Sequence, residues 1–194
     1  MSEPIVLDPK TTALLVMDFQ TLIVEGYATD KEALLKRTFS LLEAARHAKM
    51  RVIYVVVGFR PGFPEVSPSN MSFQGLKESG RFAPGDPSTQ IHPALASQPN
   101  EAVVTKHRVN AFAGTDLEMI LRANGIETLV LTGIATSGVV LSTLRHAADT
   151  DYRLIVAGDC CSDPDAEVHR VLLDKVFPRQ AKIASAEELI KAMR

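Results

Sequence analysis

The sequence predicts an α/β protein, a Rossmann-like three-layer sandwich with a mostly parallel central sheet. Three observations predict it. Short, nearly all-apolar runs recur along the chain, as in strands buried on both faces. Segments with apolar residues at helical spacing separate those runs, the pattern of strand–helix–strand crossovers. The chain has 194 residues, enough for one sizeable core and too few for two, so a single domain over residues 1–194 is expected.

The elements follow in order. Residues 12–17 (TALLVM) are a continuous apolar run that ends at Asp18 and suits a buried strand. Residues 31–49 place Leu34, Leu35, Leu41, Leu42 and Ala45 at helical spacing. Residues 51–57 (RVIYVVV) are β-branched and read as a second strand. Residues 58–100 break this rhythm. They are rich in Pro, Gly and Ser with weak periodicity, and read as a long irregular loop serving as an active-site wall or an oligomer arm. Alternation resumes with a strand at 102–105 and a helix at 115–123, stopped by Asn124-Gly125. A strand at 128–131, a helix at about 137–149, a strand at 152–157 and a helix at 165–176 come next. A short strand at 181–184 and a helix at 186–193, with Ser185 as its N-cap, close the chain. Right-handed crossovers make such a sheet doubly wound.

Composition excludes several function classes. A net charge of -2 gives no electrostatic case for nucleic acid or an anionic membrane. No apolar run approaches the ~20 residues that span a bilayer. Residues 1–4 lack the basic and apolar regions of a signal peptide, so a cytoplasmic location is expected. Cys160 and Cys161 are adjacent, a spacing that forms a disulfide only under strain, and no Cys/His cluster has zinc spacing. They read as reduced structural thiols. The expected partner is a small-molecule substrate, with no metal and no cofactor.

In open α/β sheets, ligands bind beyond the carboxyl ends of the strands, near the point where strand order reverses. Asp18 follows the first strand, and Lys106 and Arg108 follow the third. GIATSG, from Gly133 to Gly138, follows the fourth and runs into a helix N-terminus. Each has a plain reading alone: a turn-capping carboxylate, a solvated lysine, a tight connection. Together they are more telling. A carboxylate beside an ammonium group is held ionised, or poised as an acid if buried. A free N–H array at a helix start can hold a substrate carboxylate or an oxyanion. The turn is neither GxxxxGK[ST] nor GxGxxG.

The runs LLVMDFQ (14–20), VTKHRVNAFAGTDL (104–117), LVLTGIATSGVVLSTLRHAA (129–148) and IVAGDCCSD (155–163) resemble the isochorismatase-like (cysteine hydrolase) superfamily. They do so in the right order over nearly the whole chain. The most specific elements are D-x-Q after the first strand, K-x-R-x-x-A-F-x-x-T-D-L, and the T-G-I-A-T turn. The resemblance implies a catalytic trio of Asp, Lys and Cys, which lands on Asp18, Lys106 and position 139. Family members carry G-x-x-T-x-x-C-V-x-x-T there. This chain has Gly133, Thr136, Val139, Val140 and Thr143, so Val139 stands where the nucleophile is expected. Related nicotinamidases build a metal site around D-x-H after the second strand. Here the stretch is Gly58-Phe59-Arg60, and no spacing supports a site from His92 or His107.

Two readings remain for such a member. One is acid catalysis in the style of the true isochorismatases, which split pyruvate from a vinyl ether without a protein nucleophile. Asp18 is then the acid and Lys106 tunes its pKa. Arg108, Phe112, Thr136, Ser137, Gly138 and Val139 form the substrate shell. Arg60 or Arg81 could add a second carboxylate clamp or lie solvated. Phe19, Phe63, Phe73 and Phe82 either enclose substrate or pack the core. True isochorismatases have glycine where Val139 stands, which narrows this pocket by comparison. The other reading is an inactive or repurposed member that binds a small anion or serves as a scaffold. A nucleophilic Ser137 or Ser142 is a third, weaker alternative, because a serine needs an activating base. The resemblance further implies a homodimer or homotetramer, with the helix at 137–149 or the long loop at its interface, and a cis peptide within the turn from Gly133 to Thr136, with Ile134–Ala135 as one candidate bond.

Overall fold

A six-stranded sheet in the order β3-β2-β1-β4-β5-β6, with every pair parallel, organises the molecule. The strands are β1 (Thr12–Met17), β2 (Arg51–Val57), β3 (Ala102–Lys106), β4 (Thr128–Ile134), β5 (Arg153–Ser162) and β6 (Lys182–Ala184). The computed structural model describes residues 5–193, so the leader-free reading of residues 1–4 lies outside the described residues. The helices are α1 (Thr21–Tyr27), α2 (Lys31–His47), α3 (Met71–Ser79), α4 (Leu117–Ala123), α5 (Leu141–Asp149), α6 (Ala166–Val171) and α7 (Ala186–Ala192).

Alternation along the buried strands divides the core between the two faces of the sheet. Leu14, Val16 and Tyr54 pack with Leu34, Leu41 and Leu42 of α2 and Leu189 of α7. Leu15, Met17, Ile53 and Val55 pack with Leu117 and Leu121 of α4, Leu144 of α5 and Phe177. This is the three-layer arrangement that the near-continuous apolar strands predict. β3 departs from it. As an edge strand it leaves Val103 47% exposed.

The segment 58–100 is more ordered than its composition predicts. It contains α3, two short 3₁₀ turns, and a small core of Phe59, Phe63, Val66, Phe73 and Phe82 built on Val57. Local signals explain α3. The Asn70 side chain accepts from the Phe73 N–H at its start, and Gly80 ends it in the left-handed conformation (φ 67°). α1 is also absent from the periodicity, because seven residues give barely two turns. Several boundaries move, among them β4, which runs on to Ile134. The helix expected from about 137 opens as a π-helical turn over Thr136–Val140, α4 begins at Leu117, and β5 runs on through Cys160 and Cys161.

Strand order reverses between β1 and β4, whose neighbours β2 and β5 lie on opposite sides. Their carboxyl ends therefore flank the crevice where an open sheet takes its ligand. The strands approach closely there. A Cβ on Gly133 would sit 3.0 Å from the Met17 carbonyl oxygen, so no larger residue fits without movement.

Candidate active site

Asp18 directly follows β1 and is held with φ 59°, a left-handed conformation that Asp tolerates better than most residues. Its N–H donates to the Val55 carbonyl at 2.8 Å, fixing the turn to β2. Two residues on, the fully buried Gln20 completes the clasp. Its Nε2 donates to the Val57 carbonyl (2.9 Å) and its Oε1 accepts from the Val57 N–H (2.7 Å). Gln20 Nε2 also donates to the Thr89 carbonyl at 3.1 Å, tying the long segment to the strand ends. The D-x-Q pattern thus pairs a carboxylate at the strand end with a glutamine that ties the strand ends together.

Lys106, the last residue of β3, brings its Nζ to 2.9 Å from Asp18 Oδ2, and both side chains are buried. The same Nζ donates to the Arg108 carbonyl at 3.1 Å. Asp18 Oδ1 has no hydrogen-bond partner. Burial pushes the Asp18 carboxyl above its ordinary range, while the charge and hydrogen bond of Lys106 pull it down; burial prevails. A half-satisfied carboxylate of raised pKa is suited to giving and taking a proton.

The pair lies on the wall of a cavity of about 490 Å³. α1 contributes Leu22, Ile23, Glu25, Gly26 and Tyr27, and the 58–100 segment contributes Ser72, Phe73, Leu76, Arg81 and Phe82. Val57, Val109, Ile134, Ala135, Gly138 and Val139 complete the lining. The peptide between Ile134 and Ala135 is cis, as the resemblance implies. A second cleft of about 660 Å³ borders the β3 edge, lined by Arg60, His107 and Thr105, but contains neither Asp18 nor Lys106.

The expected shell divides. Gly138 and Val139 line the cavity with Asp18 and Lys106, whereas Arg108, Phe112, Thr136 and Ser137 do not. Arg108 turns back on the chain, its Nη1 donating to the His107 carbonyl at 2.6 Å, so only its own carbonyl touches the pair. Phe112 is core, stacked on His146 with ring centroids 4.6 Å apart. Thr136 Oγ1 bonds His169 Nδ1 of α6 at 2.8 Å, and the Ser137 N–H donates to Oδ2 of Asp163, just past β5, at 2.7 Å. The N–H groups of Gly138 and Val140 donate to the Ala135 carbonyl. The turn's N–H array is thus largely taken by protein acceptors and is not the open anion site expected from its composition. Ser142 is likewise occupied, its Oγ donating to the Gly138 carbonyl at 2.7 Å.

The cysteines are elsewhere. Successive residues of β5 face opposite ways, so Cys160 and Cys161 enter different halves of the core, and neither lines the cavity. Burial raises both thiols, Cys160 to about 12. Of the aromatic candidates, Phe73 and Phe82 line the cavity, while Phe19 and Phe63 lie in core clusters. Arg60 pairs with Glu65. Periodicity missed the α1 and α3 side chains of the wall; the Asn70 and Gly80 caps were the available signal for α3. Among the described residues, no three His, Cys, Asp or Glu side chains gather as a metal ligand set, and no helix is long and apolar enough to cross a membrane.

Comparison with known proteins converges on one family. Residues 12–188 match the Isochorismatase domain. The isochorismatase family protein YecD of Escherichia coli O157:H7 is 33% identical over 190 residues, covering 96% of this chain and 98% of its own. A ureidoacrylate amidohydrolase of Methylobacterium radiotolerans is 33% identical over 196 residues, covering 90% of this chain and 76% of its own. Among solved structures, a cysteine hydrolase from Pseudomonas syringae pv. phaseolicola superposes with a TM-score of 0.89 at 25% identity, covering 100% of this chain and 98% of the other.

Proposed function

Since the chain belongs to the isochorismatase family, we propose that it is a hydrolase of small carboxylate-bearing metabolites that works by acid catalysis from Asp18, with no protein nucleophile. The observation that carries this reading is the state of Asp18. It is buried and raised in pKa, with one oxygen held by Lys106 and the other unpartnered, in a cavity whose lining contains no cysteine and no histidine. Val139 stands where the family resemblance expects the thiol, and Ser72, the one serine of the lining, has no histidine there to activate it.

A vinyl ether of isochorismate type fits this equipment. Protonated Asp18 gives its proton to the terminal alkene carbon, and the π electrons form the new C–H bond. The ether oxygen shares the resulting positive charge. Water adds to the cationic carbon and returns a proton to Asp18. The hemiketal then breaks its C–O bond, releasing pyruvate and an alcohol. Lys106 stabilises the carboxylate that remains after the first step, so the low-dielectric pair supports both protonation states. The apolar wall limits access of bulk water to the cation.

Amide hydrolysis is the second reading, supported by the amidohydrolase among the relatives. The discriminating experiment incubates the purified protein with isochorismate and a panel of small amides, beside Asp18→Asn. Pyruvate release that disappears in Asp18→Asn is the expected result. Amide turnover instead of pyruvate release replaces the vinyl-ether assignment, and silence across the panel favours a repurposed member that binds a small anion or acts as a scaffold.

A further inference from the structure

One charged side chain of the cavity wall has no partner among the described residues, and it specifies a ligand group. Four lining side chains carry formal charge: Asp18, Glu25, Arg81 and Lys106. Asp18 and Lys106 face each other at 2.9 Å. Glu25 is engaged by Lys31 at 2.5 Å. Among the described residues, the Arg81 guanidinium makes no ion pair and no hydrogen bond; only the Arg81 backbone N–H is used, donating to Ser79 Oγ. The remaining lining is overwhelmingly apolar, including Leu22, Ile23, Phe73 and Phe82.

The backbone that carries Arg81 is fixed on both sides. Gly80 ends α3 in the left-handed conformation. Phe82 is buried, with φ 64°, its N–H donating to Asp86 Oδ2 at 3.0 Å and its carbonyl accepting from the Phe59 N–H at 2.9 Å. A guanidinium fork presented from a fixed backbone matches a planar carboxylate. The competing anion site, the N–H array after β4, is largely occupied by Asp163 and the Ala135 carbonyl.

The geometry points to Arg81 as the anchor for a substrate carboxylate, and hence to a substrate class with a compact apolar body between that carboxylate and the bond cut at Asp18. The placement of the cut bond rests on Asp18 as the catalytic acid; the anchor rests on the unpartnered Arg81 guanidinium at the cavity wall.

Binding tests the anchor without requiring turnover. Isothermal titration of the wild type, Arg81→Gln and Arg81→Lys with benzoate, and with its uncharged counterpart benzamide, reads the charge requirement directly. Benzoate affinity is expected to fall by roughly tenfold or more in Arg81→Gln and to recover in part in Arg81→Lys. Benzamide should bind the wild type and Arg81→Gln equally. Melting temperatures should match, since Arg81 has no side-chain partner to lose. Equal benzoate affinity in the wild type and Arg81→Gln, or no benzoate binding to the wild type, overturns the proposal. A silent substrate panel with Arg81-dependent benzoate binding sinks the acid-catalysis reading alone. Asp18-dependent turnover with Arg81-independent binding sinks the anchor alone.

Discussion

Asp18 and Lys106 lie 2.9 Å apart behind nearly complete burial, so the Lys106 charge acts on Asp18 with little screening by solvent. Burial raises the Asp18 pKa above its ordinary 3.8 and Lys106 opposes that rise. Replacing Lys106 with Met removes the opposing cation, and Asp18 should titrate higher still. A carboxyl whose folded pKa exceeds its unfolded pKa stabilises the fold fully below the unfolded value, and that contribution is lost as pH rises through the folded one. Lys106→Met should therefore lose melting temperature more steeply than the wild type as pH increases from acid to neutral. At neutral pH the deficit should reach about 3 kcal/mol. Parallel melting curves across pH would remove the coupling. At this scale the sequence was informative wherever a residue's position at a strand end set its surroundings, as for Asp18 and Lys106. It was uninformative where a side chain's direction decided the matter. Arg108 turns to its own backbone and Phe112 into the core, and neither turn is visible in a spacing.

Elements show the same division. Strands with continuous apolar runs were legible because burial on both faces leaves no other pattern. α1 was not, since seven residues are too few for a period to emerge. The 58–100 segment reads as irregular because its aromatic residues build a private core with Val57 instead of following a helical or strand repeat. Its far end is secured by Glu101, ahead of β3. Arg46 of α2 holds Glu101 in a two-point pair, Nε to Oε1 and Nη2 to Oε2, each 2.8 Å. The same guanidinium donates to the Ala96 carbonyl at 3.0 Å. The side chains are 14% and 6% exposed, so solvent screens the pair little. Glu101→Gln should cost about 2 kcal/mol of stability in chemical denaturation. It should leave turnover unchanged, because no Arg46 or Glu101 atom borders the Asp18 cavity. An unchanged denaturation midpoint would show that the clasp contributes nothing.

For the whole molecule, the reversal of strand order brings Asp18 from β1, Lys106 from β3 and the turn after β4 to one crevice, although they are far apart in the chain. This convergence is legible in the sequence, because a doubly wound strand order brings those strand ends to one crevice. The walls were not, because they come from segments whose packing is set by tertiary contacts. If position 139 is the nucleophile position, Val139→Cys should place a thiol on the cavity wall. That variant should gain labelling by iodoacetamide and slow amide turnover, whereas the wild-type thiols, buried and raised in pKa, should resist the reagent. Absence of both gains would separate position 139 from the chemistry. Whether Asp18 donates a proton without a protein nucleophile is read from the pH dependence of kcat/KM for pyruvate release from isochorismate. The rate should fall as pH rises through an apparent pKa above the ordinary carboxylate range, and Asp18→Asn should show no measurable rate. A rate that climbs with pH, or one that survives in Asp18→Asn, would contradict proton donation by Asp18.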